Sequence, residues 1–224
     1  MEKYTRSDPP SQTAFPVASA GYPLIFSAAF ATAILALLGI TSLTLVGLAI
    51  TFAVCGFFRD PDRVIPDQQG TVVSPADGKV VAASVVDNTP FYDGPAMKIS
   101  VFMSVFNVHV NRVPYDGRVK EINYHPGKFI AANFDKASLE NEHNAVFIET
   151  DNGSHLCVVQ VAGLIARRII CRLKPGDTVV RGQRFGLICF GSRLDVYLPT
   201  NVKLNVVVGD KVQAGATILA RLAD

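Results

Sequence analysis

The chain has no cluster of basic residues. Its 21 Lys and Arg are interspersed among 19 Asp and Glu, for a formal net charge of +2, so it lacks the electrostatic footprint that holds nucleic acid. It has no C-x-x-C pair either. Cys55, Cys157, Cys171 and Cys189 are scattered through apolar surroundings, which argues against zinc or disulfides and for small buried hydrophobes in a reducing compartment. No metal centre is expected. Charge is missing altogether from one region, since no Asp, Glu, Lys or Arg occurs between Asp8 and Arg59. What the chain does have is apolar content, 49% of 224 residues, enough for one domain with a buried core and an appendage.

The uncharged region reads as a membrane segment. From Pro23 to Phe58 the residues are almost wholly Ala, Leu, Ile, Val, Phe, Gly and Thr. One straight helix over that run would extend roughly 54 Å, well beyond a hydrocarbon core of about 30 Å. Gly39-Ile40-Thr41-Ser42 divides the run into two apolar halves, so a helical hairpin is expected, dipping into the bilayer or crossing it twice. A hairpin returns the chain to its starting side. Lys3 and Arg6 before it match Arg59 and Arg63 after it, which places both ends, and the rest of the protein, on the cytoplasmic face of the cell membrane. A secretory signal fits poorly, because the run is too long and starts too late, and Phe52-Ala53-Val54 offers no small residue directly before Cys55. The expected division is residues 1–58, tail and hairpin, and residues 59–224, a second domain.

After Gly70 no long helical pattern appears. Short β-branched runs alternate with Gly, Asp, Pro and Asn, the pattern of strands joined by tight turns. The expected strands are 79–86, 97–103, 118–124, 145–150, 155–162, 184–189, 194–198 and 202–208. Asp151-Asn152-Gly153 is a hairpin turn, because Asn-Gly takes positive φ at both central positions. Two segments echo each other as G-D-x-V-x-x-G, Gly176 to Gly182 and Gly209 to Gly215. That turn resembles the biotinyl and lipoyl carrier barrel. Asp77-Gly78-Lys79-Val80 and Asp116-Gly117-Arg118-Val119 open strands in a similar way. The fold class is therefore mainly β, a barrel or sandwich preceded by the hydrophobic hairpin.

The chemistry concentrates in Phe190-Gly191-Ser192-Arg193-Leu194-Asp195. Joined to Phe58-Arg59-Asp60-Pro61, Ser74-Pro75-Ala76-Asp77-Gly78 and Val108-His109-Val110-Asn111-Arg112-Val113-Pro114 in that order, it resembles the short, mainly microbial form of phosphatidylserine decarboxylase from about Cys55 to the C-terminus. The resemblance implies a proenzyme. Ser192 Oγ would attack the Gly191 carbonyl, turning the amide into an ester, and Gly supplies freedom and space for that step. Elimination and hydrolysis would then leave a pyruvoyl group on Ser192, as the only cofactor. The long chain 1–191 and the short chain 192–224 would stay together as a heterodimer, with further dimerisation open. The ketone would form a Schiff base with phosphatidylserine and accept electrons as CO2 leaves, giving phosphatidylethanolamine.

The same resemblance assigns Asp77 as the base of self-cleavage and His109 as the proton carrier of decarboxylation, an imidazole titrating near neutral pH. Long-form members carry a second His where this chain has Arg112, which cannot act as a base. Either His109 serves both stages, or Asp77 acts more directly and Arg112 binds a carboxylate or phosphate. His143, in Asn141-Glu142-His143-Asn144, is a further candidate near the substrate. Two other classes compete. Ala96-Met97-Lys98 contains the core of a biotin attachment motif, pointing to a carrier or barrel adaptor at the membrane, although Lys98 leads into the buried pattern Ile99-Ser100-Val101-Phe102. A purely structural membrane protein would show no self-cleavage.

Overall fold

The computed structural model describes residues 4–5, 17–130, 140–164, 168–189 and 191–222. The chain divides into two compact units, Pro10–Asp62 and a larger one of Arg63–Asp224 with Met1–Pro9.

In the smaller unit, a 3-10 turn at Ser19–Gly21 leads into helix α1 (Tyr22–Leu37), and α2 (Thr41–Phe57) follows after a break at Gly39, whose φ is +72°. The division expected at Gly39 is the one observed. Small residues bring the helices together: Thr32 Oγ1 lies 3.3 Å from Thr51 Oγ1, and a Cβ on Gly47 would fall 2.7 Å from Thr32 Oγ1. Both hydroxyls also donate to carbonyls one turn back, Ala28 and Gly47, so neither is left unsatisfied in an apolar setting. Phe26, Phe30, Leu37 and Phe52 stay exposed. Ser19–Leu37 is long and apolar enough to cross a membrane, whereas Thr41–Phe57 is a shorter apolar helix.

The larger unit is built of strands. In chain order they are β1 (Tyr4–Thr5), β2 (Ile65–Pro66), β3 (Thr71–Val73), β4 (Gly78–Val86), β5 (Ala96–Met103), β6 (Val110–Arg112), β7 (Gly117–His125) and β8 (His143–Glu149). There follow β9 (His155–Ala162), β10 (Ile169–Cys171), β11 (Thr178–Val179), β12 (Arg184–Ile188), β13 (Ser192–Leu198), β14 (Lys203–Leu204), β15 (Lys211–Val212) and β16 (Ile218–Arg221). An eight-stranded antiparallel sheet runs β11-β7-β8-β9-β13-β5-β4-β15, beside three-stranded sheets β10-β12-β6 and β14-β16-β3.

Alternation sorts the large sheet's two faces. Leu194, Val196, Leu198, Val158, Val146, Ile99 and Val101 share the main core with Phe185, Ile188, Leu219 and Ala220 of the small sheets. Tyr197, Val159, Val161, Cys157 and Ala145 form a second cluster with Phe91 on the other face.

The sequence echo is a structural repeat. Gly78 pairs with Val212 and Gly117 with Val179. A Cβ on Gly78 would meet the Phe102 carbonyl oxygen at 2.2 Å, and one on Gly117 the Glu149 carbonyl oxygen at 2.4 Å. Both strands then slip register, between Val80 and Ala82 and between Val119 and Glu121. The aspartates match too: Asp77 Oδ1 accepts the Ala214 N–H and Asp116 Oδ1 the Arg181 N–H. The fold class is thus the mainly β one expected. Of the run 202–208, only Lys203–Leu204 is paired, because the chain must then turn: Asp210 Oδ2 takes the Val207 N–H, and Gly209 sits at φ +107°.

Candidate active site

Gly191 has φ +62°, in the left-handed region, and nothing lies within 4 Å of where its Cβ would be. Glycine is therefore placed there for conformation, not for room. The next residue opens β13, all seven residues of which are buried. Ser192 is 0% exposed, and its Oγ has no hydrogen-bond partner among the described residues. Burying a hydroxyl in that state costs about 1–3 kcal/mol, which the fold tolerates at the junction the sequence singled out.

Ser192 pairs with Ala162 of β9 and Met103 of β5. Beyond β5 lies β4, so Asp77, directly before Gly78, reaches the same end of the sheet two strands away, with backbones about 10 Å apart at the usual spacing. His109 follows the turn Ser104–Asn107 that leaves β5 at this end. The strand order thus carries Ser192, Asp77 and His109 to one end of the sheet. His109 is fully buried, with Nδ1 2.9 Å from the Asn107 carbonyl. A carbonyl only accepts, so Nδ1 carries the proton and Nε2 is the basic nitrogen of the neutral ring. Asp77 has both oxygens engaged: Arg63 Nη2 donates to Oδ2 at 2.8 Å, and the Ala214 N–H to Oδ1 at 2.8 Å.

The family model described as phosphatidylserine decarboxylase matches residues 50–220. The chain belongs to the phosphatidylserine decarboxylase family. A phosphatidylserine decarboxylase proenzyme of Desulfotalea psychrophila is 49% identical over 94% of this chain and 99% of its own length. Those of Geotalea uraniireducens and Ralstonia nicotianae are 53% and 55% identical, over 92% and 77% of this chain and 97% and 80% of theirs.

In this member of the phosphatidylserine decarboxylase family, Arg112 contacts both echoed turns. Its guanidinium is buried, with Nη1 donating to the Gly182 carbonyl at 2.7 Å, and its Cδ lies 3.0 Å from where a Gly215 Cβ would be. It therefore ties the two echoed turns together. His143 is not brought to Ser192. It pairs with Val161, which pairs with Arg193, so it points to the opposite face of the sheet. There it stacks on His125 at 5.0 Å and meets the Phe91 edge. Its Nδ1–H is 2.7 Å from the Asn141 carbonyl. Burial pulls its pKa down, against the raising effect of that carbonyl.

Three groups at or behind this site were given no catalytic or structural role by the sequence. Arg63, read above only as a charge flanking the hairpin, holds Asp77. A buried amide relay runs from Asn144 Nδ2 to Gln160 Oε1 (3.1 Å) and from Gln160 Nε2 to Asn111 Oδ1 (2.8 Å). It fixes Asn111 so that its Nδ2 faces the His109 carbonyl at 3.3 Å and Met103 Sδ at 3.8 Å. Gln160 pairs with Leu194 and so shares the Ser192 face. A lone Gln in the apolar run 155–162 was the available signal. On the reverse face of β13, Arg193 Nε is 2.8 Å from Asp195 Oδ1 and Lys98 Nζ 3.6 Å from Oδ2. Burial raises the Asp195 pKa, but Arg193 and Lys98 outweigh it and hold the carboxyl below its ordinary value. Lys98 therefore sits mid-strand and largely buried, not at a hairpin tip where a carrier protein presents its lysine.

Proposed function

We propose that the chain is the self-cleaving proenzyme of a phosphatidylserine decarboxylase, a carboxy-lyase of phospholipid biosynthesis. The observation that carries this is Ser192 itself, buried with its Oγ unpaired among the described residues and preceded by a glycine at positive φ. Oγ attacks the Gly191 carbonyl, the peptide N leaves, and an ester joins 191 to 192. Asp77 takes the serine proton. Each of its oxygens accepts one hydrogen bond and keeps a second lone pair. Loss of the Ser192 Cα proton expels the Gly191 carboxylate and leaves dehydroalanine, whose imine tautomer takes up water and releases ammonia, leaving the pyruvoyl cap on chain 192–224.

Ser192 fits that cap, since its backbone is fixed by pairing on both sides while its side-chain atom is uncommitted. When formed, the group would supply a ketone to take up the substrate amine and a sink for the electrons of the departing carboxylate. His109 moves the proton at its Nε2, from a ring anchored through Nδ1. The amide relay keeps the His109 carbonyl, and so the ring, in register with the strand beside Ser192. The substrate is the serine phospholipid of a bilayer, and the chain works at the cytoplasmic face of the cell membrane, held there by its hairpin as a heterodimer of 1–191 and 192–224.

Intact mass tests the reading. Wild type should separate into 1–191 and 192–224, the latter blocked to Edman sequencing and trapped with phosphatidylserine by borohydride. Ser192→Ala should stay one chain. A Ser192→Ala protein with full activity would refute the reading, as would a wild type that is active while uncut.

A further inference from the structure

The larger unit exposes three apolar side chains bigger than valine among its described residues: Phe106 at 83%, Leu164 at 65% and Tyr124 at 58%. Scattered surface apolar groups are ordinary, but these three are not scattered. Phe106 sits on the turn that follows Met103, with Val105 beside it at 40% exposure. Leu164 follows Ala162, and Met103 and Ala162 are the two pairing partners of Ser192. Tyr124 is next to last in β7, one residue from His125, and that strand ends on the same side. The exposed apolar groups thus ring the end of the sheet where Ser192 lies. Exposed Arg168, in the connection after Leu164, adds a cation suited to an anionic lipid surface.

The Ser104–Asn107 turn is built to hold Phe106 outward. Asn107 Oδ1 accepts from both the Ser104 N–H at 2.9 Å and its Oγ at 2.7 Å, and the Asn107 N–H returns to the Ser104 carbonyl at 3.0 Å. A turn closed by three hydrogen bonds across four residues presents its two central side chains at little further entropic cost.

We infer that Val105, Phe106 and Leu164 form an insertion rim that enters the phospholipid bilayer around the mouth of the active site, separately from the hairpin. This rests on the reading of Ser192 as the centre that acts on a bilayer phospholipid. A headgroup must leave the interface to reach a fully buried residue, and apolar groups seated below the headgroups shorten that path.

Two measurements on the full-length protein test it. The chain contains no Trp, so Phe106→Trp and Val85→Trp each carry a single reporter. Val85 is 49% exposed at the opposite end of the sheet, where it pairs with Met97. In vesicles of phosphatidylserine and phosphatidylcholine with brominated acyl chains, Phe106→Trp should be quenched and Val85→Trp should not. Equal quenching, or none at position 106, would overturn the inference, and the latter is the result expected of a surface reserved for a partner protein.

In the second measurement, Phe106→Ser should cleave itself normally by intact mass and decarboxylate a short-chain, monomerically dissolved phosphatidylserine at the wild-type rate. On phosphatidylserine vesicles it should be slower by about tenfold, the scale of losing one buried Phe. Parallel loss on both substrates would show that the turn serves the site and not the bilayer, and equal wild-type rates would likewise sink the rim. Failure of the parent reading looks different, since then wild type itself remains uncut.

Discussion

At the scale of single residues, the internal repeat supplies its own control for the proposed base. Asp77 and Asp116 each stand before a strand-opening glycine and each accept a turn amide from the other half, but they lie at opposite ends of the sheet and only Asp77 is at the Ser192 end. Asp77→Asn should slow self-cleavage by about 10²–10⁴, while Asp116→Asn, which also keeps an oxygen for its amide, should leave it unchanged. A time course on gels reads both, and equal rates would make Asp77 a turn residue like its twin. His109→Ala should cut decarboxylation by about 10²–10⁴ in protein that has already matured. His143 bears on stability instead. Because burial lowers its pKa, the unfolded chain binds a proton the folded one refuses once pH falls below about 6.5. Its contribution is present above that pH and declines below it, so His143→Phe should show a smaller drop in Tm between pH 7.5 and 5.5 than wild type. Ser192, Gly191, Asp77 and His109, the residues proposed for the chemistry, could be singled out in the sequence because each sits in a local motif. The face that His143 points to, and the grip of Arg63 on Asp77 across the fold, depend on strand register, which no local motif encodes.

At the scale of elements, the glycines that open β4 and β7 are fixed by the strand lying across them. Gly78→Ala and Gly117→Ala each place a methyl inside a backbone carbonyl's contact distance, and each should cost about 1–3 kcal/mol in urea unfolding. The longer strands were readable from alternation and flanking turns: 155–162 is seen with the expected bounds, β4 and β5 each start one residue earlier, and β7 is one residue longer at each end. The pieces that escaped are β1, β2, β3, β6, β10, β11, β15 and β16, of two to four residues. Such a length carries no period, so these strands exist only because distant partners meet them. The echoed G-D-x-V-x-x-G turns were visible, whereas their service to the opposite Asp-Gly pair became visible only in three dimensions.

At the scale of the whole molecule, the proposed function divides the work between the apolar hairpin and the β domain. Deleting residues 1–58 should leave a fragment that still matures, since Asp77 and the Arg63 that holds it both remain, yet one that works poorly on vesicles. Full vesicle activity in the truncated protein would remove the hairpin from function. The position of the cut has a different bearing. Under the proposed cleavage, the short chain of 33 residues, 192–224, would bring β13, flanked by β9 on one side and β5 on the other, so the severed piece would be a middle stave of the sheet and not a trimming from its edge. Maturation would therefore change the molecularity of folding. A Ser192→Ala precursor unfolded in urea refolds as one chain, with a yield indifferent to dilution. The matured protein must find its partner again, and its recovery should fall as it is diluted. The proposed cleavage thus implies an order of events, the sheet closing first and the backbone opening afterwards, so that a denatured mature molecule would not retrace the route by which it was made.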